Sequence, residues 1–350
     1  MTRYHRLTVS EVVQETPDAQ SILFKIPPNL KEKFAYKSGQ FITIKFPYEG
    51  AQLQRCYSMS STQGLDDFLR VTVKRVLDGR GSNWICDNLN AGSEIDVLQP
   101  AGLFVTKDLN EDHLLCAGGS GITPVLSILR LVLSKGSGNV RLIYANRDES
   151  SVIFRNTIKD LCAAYPERLE VIHLLDSLQG IPSSRLLASI ANGMQKCRAF
   201  ICGPGPFMDA METSLKQIGI PDTNIHIERF VIAKPKNNEH AVPLNDTETK
   251  EHISESSVSP ASTVNLEIDG VNHVIACESG QTVLDAAEAV GIELPYSCRE
   301  GMCASCMCEV IEGDVMLKSN DVLDERDLAN KLTLSCQAVP LTQTLKLKYA

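Results

Sequence analysis

The chain has 350 residues, 22% of them charged and 43% hydrophobic, which excludes general disorder and suits two or three globular domains. Its net charge of −9 is uneven: residues 1–230 carry +1, residues 231–262 carry −2 and residues 263–350 carry −8. So acidic a C-terminal third argues against a nucleic-acid partner and suits docking on a basic protein face.

No run of about 18 uncharged apolar residues occurs, and the start MTRYHRLTVSEVVQE lacks the apolar core of an export signal. The expectation is a cytoplasmic, monomeric protein with no membrane partner. Twelve cysteines in such a chain read as reduced thiols or metal ligands rather than a disulfide framework.

The first hundred residues alternate short β-rich runs with turn signals: LTVSEVV, SILFKI, FITIKF, RCYSMS, FLRVTVKRV and EIDVLQ. Six close-spaced strands and one short helical piece, Trp84 to Leu89, predict an antiparallel barrel over residues 1–106. From His113 the rhythm changes to short apolar strands separated by amphipathic helices, including one in SVIFRNTIKDLCAAY, which predicts a doubly wound parallel sheet over residues 107–230. Residues 231–262 are polar, contain three prolines and keep neither period, as a flexible linker does. Residues 263–350 form a third unit, an α+β domain with a hairpin around Asp269-Gly270 and a helix capped by Thr282 and ended before Gly291.

In the barrel, Arg55-Cys56-Tyr57-Ser58 is followed by Gly79-Arg80-Gly81-Ser82-Asn83 ahead of the helical piece. A helix N-terminus behind a glycine turn presents N–H groups to a phosphate, Arg55 neutralises it, and Tyr57 offers an aromatic face to a flavin ring. The loop Gly118-Gly119-Ser120-Gly121 after the first parallel strand allows close backbone approach to a pyrophosphate, although it is not the G-x-G-x-x-G fingerprint. The fourth parallel strand ends in Cys202-Gly203-Pro204-Gly205-Pro206, at the edge where open sheets bind ligands. Cys202 there is either a neighbour of the nicotinamide or a buried strand-end thiol.

Cys298, Cys303 and Cys306 are spaced C-x4-C-x2-C, and Cys336 follows in LSCQA. This is the plant-type [2Fe-2S] spacing, with small residues Gly301, Ala304 and Ser305 letting the backbone approach the cluster. The competing zinc reading fits less well, because zinc sites usually pair two short ligand units. Cys308 and Cys277 read as packed thiols. A self-sufficient oxygenase is not expected, since the sequence shows neither a Rieske C-x-H pair nor a diiron carboxylate motif.

The set RCYS, GRGSN, AGGSGITP, YANR, CGPGPFM and IERF resembles the ferredoxin-NAD(P)+ reductase superfamily, and SCREGMCASC with LSCQA resembles a fused plant-type ferredoxin. The domain order resembles reductase components of multicomponent oxygenases. Segments such as YANRDESSVIF, FICGPGPFMDA and SCREGMCASCMC are most similar to the reductases of 3-ketosteroid 9α-hydroxylases, with the phenylacetyl-CoA epoxidase reductases next. The resemblance implies an oxidoreductase that uses FAD, NADH and a [2Fe-2S] cluster to feed a terminal oxygenase. It makes Arg55, Tyr57, Ser58, Val71, Val73 and Lys74 flavin contacts, and Gly81 and Ser82 contacts of the flavin pyrophosphate. It places Gly119, Thr123, Gly203 and Pro204 at the nicotinamide nucleotide, Phe230 where the chain closes over the flavin, and Cys202, Ser58 and Glu228 at the catalytic centre. The metal ligands are Cys298, Cys303, Cys306 and Cys336. At the end of the second parallel strand, Arg147 could accept a 2′-phosphate, but it reads more simply as a solvated arginine, and NADH is preferred over NADPH. The contrasting class is an iron-sulfur redox-sensing module.

Overall fold

A computed structural model describes residues 4–230, 262–268, 270–296, 299–301, 304–320, 322–323 and 325–349. Two compact units make up the chain, one built on residues up to Phe230 and one on the C-terminal residues.

The first unit opens with β1 (Tyr4–Thr16), β2 (Ala19–Phe24), β3 (Phe41–Tyr48), β4 (Ala51–Ser58), β5 (Leu69–Lys74), α1 (Arg80–Asn88) and β6 (Glu94–Ala101). The strands run antiparallel in the order β4-β3-β6-β1-β2-β5. Every second side chain turns inward, so that Ile22 and Phe24, Ile42, Ile44 and Phe46, and Leu69, Val71 and Val73 share one core. Past the end of β4, Met59 bridges Val71 on β5, and the Ser60 N–H donates to the Arg70 carbonyl at 2.8 Å. The two sheet edges are thereby joined into a barrel. Helix α1 starts at Arg80 rather than Trp84, because extended Gly79 serves as its N-cap and its carbonyl already accepts from the Asn83 N–H.

Next come β7 (His113–Gly118), α2 (Ile122–Lys135), β8 (Val140–Asn146), α3 (Arg155–Ala164), β9 (Leu169–Leu175), α4 (Asp176–Gln179), α5 (Ser184–Ala191), β10 (Arg198–Cys202), α6 (Gly205–Gln217) and β11 (Ile225–Glu228). The five strands are parallel in the order β11-β10-β7-β8-β9. Both faces are apolar. Leu115, Leu142 and Tyr144 pack with α2 and α3, while Leu114, Ile143 and Ile201 pack with α5 and α6. The helix expected through SVIFRNTIKDLCAAY begins only at Arg155: Asp148 caps a short 3-10 turn over Glu149–Ser151, and left-handed Phe154 (φ 62°) redirects the chain. Barrel and sheet are tied together by the Arg130 guanidinium on both oxygens of Asp66 and by the Ser127 hydroxyl donating to the Ser61 carbonyl at 2.6 Å.

The second unit holds β12 (Ser262–Ile268), β13 (Val271–Cys277), α7 (Val283–Ala289), β14 (Met307–Glu312), β15 (Val315–Leu317), α8 (Glu325–Ala329), β16 (Leu332–Leu334), β17 (Ala338–Pro340) and β18 (Thr344–Lys348). Its main sheet has the order β13-β12-β18-β14-β16, in which only the central β12–β18 pairing is parallel. Thr282 caps α7 as expected, its hydroxyl accepting from the Asp285 N–H. Cys277 and Cys308 are buried thiols. Ser262 already belongs to β12, one residue inside the segment read as linker; the rest of that segment, and Asp269 of the hairpin, lie outside the described residues. No described helix is long and apolar enough to cross a membrane.

Candidate functional site

At one corner of the barrel an arginine meets a helix N-terminus. Arg55 and Tyr57 share one face of β4, and the Arg55 side chain runs past the first turn of α1: a Cβ placed on Gly81 would lie 2.8 Å from Arg55 Cγ. Only glycine leaves the guanidinium this close to the helix N-terminus. Two sources of positive potential, the cation and the free N–H groups of α1, therefore coincide. The Ser82 hydroxyl accepts from the Val76 N–H at 3.1 Å, which leaves its own hydrogen to donate. Burial pushes the Tyr57 phenol upward, so it stays neutral, a hydrophobic ring with a polar tip.

The same alternation corrects part of the expectation for β5. Val71 and Val73 are wholly buried and belong to the barrel core, so their side chains do not line a ligand; from these positions only backbone could touch a flavin. Lys74 faces the other way. Its Nζ lies 3.6 Å from where a Cβ on Gly119 would stand and 3.8 Å from Asp18, which puts it beside the nucleotide loop. Burial lowers its pKa, with Asp18 opposing that shift.

On the parallel sheet, the strand order reverses between β7 and β10, and the loops after these two strands abut. A Cβ on Gly118 would lie 2.7 Å from Pro204 Cδ, one on Gly203 would press on the Gly118 backbone at 2.9 Å, and one on Gly121 would overlap the Cys202 carbonyl. The glycines are thus required by close packing of the two loops at the crevice where open α/β sheets take ligands. Gly119 is left-handed (φ 51°); its carbonyl accepts from the Tyr144 hydroxyl at 3.2 Å, and the Thr123 hydroxyl holds the Ser120 carbonyl at 3.1 Å. Tyr144 was not singled out by sequence, although it opens the YANR motif.

Cys202 and Glu228 close this crevice. They are register partners at the carboxyl ends of β10 and β11. Cys202 is completely buried, and burial holds its thiol protonated, so it is a packing surface and not a nucleophile. Burial also raises the Glu228 carboxyl to about 8, with the neighbouring Cys56 of β4 adding to the shift. Ser58 is buried at the end of β4 beside its register partner Phe41. Phe230, two residues beyond Glu228, is 37% exposed.

In the C-terminal unit, Cys306 and Cys336 are both buried, and the two ligand segments are tied: the Ser335 N–H and hydroxyl both donate to the Cys306 carbonyl, at 3.1 and 3.2 Å. Cys298 and Cys303 lie outside the described residues. Around them, Arg299 (φ 58°), Gly301 (φ 78°) and Ala304 (φ 52°) are left-handed, and a Cβ on Gly301 would lie 2.5 Å from the Ser319 carbonyl oxygen. Left-handed residues in a loop favour backbone N–H groups turned toward an anion such as a cluster. Gln337, which the sequence left unassigned, is buried and donates its side-chain amide to the Arg299 carbonyl at 2.7 Å and to Cys336 Sγ at 3.6 Å. Thiol donors, a left-handed loop and an N–H···S contact fit an iron-sulfur cluster, which supplies one-electron transfer when bound.

A flavin corner, a nucleotide crevice and a cysteine loop define a pyridine-nucleotide-dependent flavin reductase carrying its own ferredoxin. Three family models match in the same order: an oxidoreductase FAD-binding domain over residues 6–105, an oxidoreductase NAD-binding domain over 115–213, and a 2Fe-2S iron-sulfur cluster binding domain over 266–341. The chain is 46% identical over 344 residues to the 3-ketosteroid-9-alpha-monooxygenase ferredoxin reductase component of Rhodococcus rhodochrous, covering 98% of this chain and 96% of the relative. It is 36% identical over 358 residues to a component of the 1,2-phenylacetyl-CoA epoxidase of Escherichia coli (strain K12), covering 98% and 96%. Among solved structures, phthalate dioxygenase reductase has the same fold, with a TM-score of 0.58, 21% identity, and coverage of 99% of this chain and 98% of that one. The chain belongs to the family of flavin- and iron-sulfur-containing reductase components of oxygenases, and it is an oxidoreductase with FAD, NAD and [2Fe-2S] domains.

Proposed function

We propose that the chain passes reducing equivalents from NADH to FAD and, one electron at a time, through its [2Fe-2S] cluster to a terminal oxygenase of the 3-ketosteroid 9α-hydroxylase type. The observation that carries the redox part is the approach of barrel strand β5 to the nucleotide loop, where Lys74 Nζ lies 3.6 Å from the place of a Cβ on Gly119. The steroid assignment rests on the near full-length similarity to the Rhodococcus reductase.

In this reading Arg55, Gly81 and Ser82 hold the flavin pyrophosphate, and Tyr57 and Ser58 flank its ring. Gly119, Thr123, Gly203 and Pro204 shape the nicotinamide crevice, Cys202 packs beneath it, and Glu228 is a neutral acid at its edge. Cys298, Cys303, Cys306 and Cys336 bind the cluster. The domains run 1–106, 107–230 and, after a linker over 231–262, 263–350, with Ser262 of the linker already paired in β12. The protein acts as a cytoplasmic monomer with neither nucleic acid nor membrane as partner, and its acidic C-terminal unit meets a basic face of the oxygenase.

The second reading, a phenylacetyl-CoA epoxidase reductase, is favoured by the 36% identity to the Escherichia coli epoxidase component. Oxygen consumption separates the two: this protein and NADH are combined with each candidate oxygenase and offered a 3-ketosteroid or phenylacetyl-CoA. Turnover with the ketosteroid oxygenase supports the first reading, and activity confined to the epoxidase overturns it.

A further inference from the structure

Nucleotide choice in a doubly wound sheet is made where the adenosine ribose reaches the end of the second strand: an acidic side chain there binds a free 2′-hydroxyl, and an arginine accommodates a 2′-phosphate. Here that place is Asn146-Arg147-Asp148, at the end of β8. Asp148 is already engaged, since its carboxylate accepts from the Ser151 N–H at 2.9 Å and the Ser150 hydroxyl at 2.6 Å. Arg147, by sequence a ready phosphate receptor, is engaged as well. Its Nη2 lies 2.9 Å from Asp18 Oδ2, on the turn between β1 and β2 of the flavin barrel. The same oxygen stands 3.8 Å from Lys74 Nζ, which faces Gly119 of the nucleotide loop. Asp18 is fixed in place, because its other oxygen accepts from the Thr16 hydroxyl at 2.8 Å and its carbonyl accepts from the Arg75 N–H at 2.7 Å.

We propose that Asp18, a residue of the flavin domain, sets the nucleotide preference by neutralising Arg147 and Lys74, the two cations that would otherwise receive a 2′-phosphate. The inference rests on the reading above that NADH is the donor. A 2′-phosphate approaching Arg147 must displace Asp18 or lie against it, and like charges held this close repel. NADH, with a neutral 2′-hydroxyl, does neither.

The test replaces the carboxylate with a neutral side chain of the same shape, Asp18→Asn, with Asp18→Ser as a second neutral turn residue; bound flavin absorbance checks folding. Affinities for 2′,5′-ADP and 5′-AMP are measured by calorimetry on the flavin-loaded full chain, and KM is measured for NADPH and NADH. Freeing a charged hydrogen-bonding partner predicts a gain of about tenfold or more for 2′,5′-ADP relative to 5′-AMP, and a parallel fall in KM for NADPH relative to NADH. Adding Arg147→Gln to Asp18→Asn cancels the gain. A ratio that does not shift in a protein preferring NADH overturns the role of Asp18 alone, whereas a wild type that prefers NADPH overturns the donor assignment and the proposal with it.

Discussion

Glu228 ends β11 in register with Cys202 of β10, and the charge of Cys56 in the flavin barrel acts on its carboxyl. Burial raises it to about 8, so the folded protein holds this proton at neutral pH, where an ordinary carboxyl would have lost it. Stability linked to this group is therefore fully present below the ordinary carboxyl range and is lost as pH rises through about 8. NADH-driven reduction of an artificial acceptor, if it needs the neutral acid, should decline above that pH, whereas this group's contribution to the melting temperature should fall between the ordinary carboxyl range and about 8 and level off above it. Glu228→Gln, neutral throughout, should flatten both profiles; wild-type and variant curves of the same shape would show that Glu228 does not titrate there.

Arg55 runs against the first turn of α1 at Gly81, the corner proposed to hold the flavin pyrophosphate. Removing a charged hydrogen-bond donor from such a site costs about 1.5–3 kcal/mol, so Arg55→Ala should bind FAD about 10- to 100-fold more weakly. Flavin content after dialysis, followed by back-titration, measures it. Full retention of flavin would remove Arg55 from the pyrophosphate.

The Gln337 amide points at Cys336 Sγ. Hydrogen bonds to ligand sulfur offset the extra negative charge of a reduced cluster and so raise its potential. Gln337→Met, close in volume but without donors, should give a more negative midpoint in a redox titration followed by EPR while keeping the visible cluster spectrum. An unchanged midpoint would mean the contact has no electrostatic consequence for the cluster.

Residues 263–350 carry −8, and attraction between such a surface and a basic partner is screened by salt. Reduction of the oxygenase should slow as ionic strength rises, whereas reduction of a small neutral acceptor by the same preparation should not. Equal salt dependence in the two assays would place the effect within the reductase.

Period and spacing carried much of this architecture. Alternating runs announced β1 to β6, the change of rhythm after His113 announced the parallel sheet, and cysteine spacing announced the cluster loop. Less was visible wherever an effect depends on residues distant in sequence. Asp18 and Arg147 are 129 positions apart, and nothing in the sequence near either one shows that they form an ion pair. Val71 and Val73 sit in the strand expected to line the flavin, yet strand alternation turns their side chains into the core and leaves Lys74 facing the nucleotide loop. Gln337 looked like an ordinary residue after a cysteine until the fold placed its amide between Cys336 and the Arg299 carbonyl.

In the proposed function a single chain carries electrons from NADH through flavin to the iron-sulfur cluster. Anaerobic addition of stoichiometric NADH to the cofactor-loaded protein, followed by visible absorption and low-temperature EPR, tests it most directly. The expected result is flavin bleaching accompanied by the EPR signal of a reduced [2Fe-2S] cluster, with that signal abolished in Cys336→Ser. Flavin bleaching with no cluster signal in the wild type would contradict it.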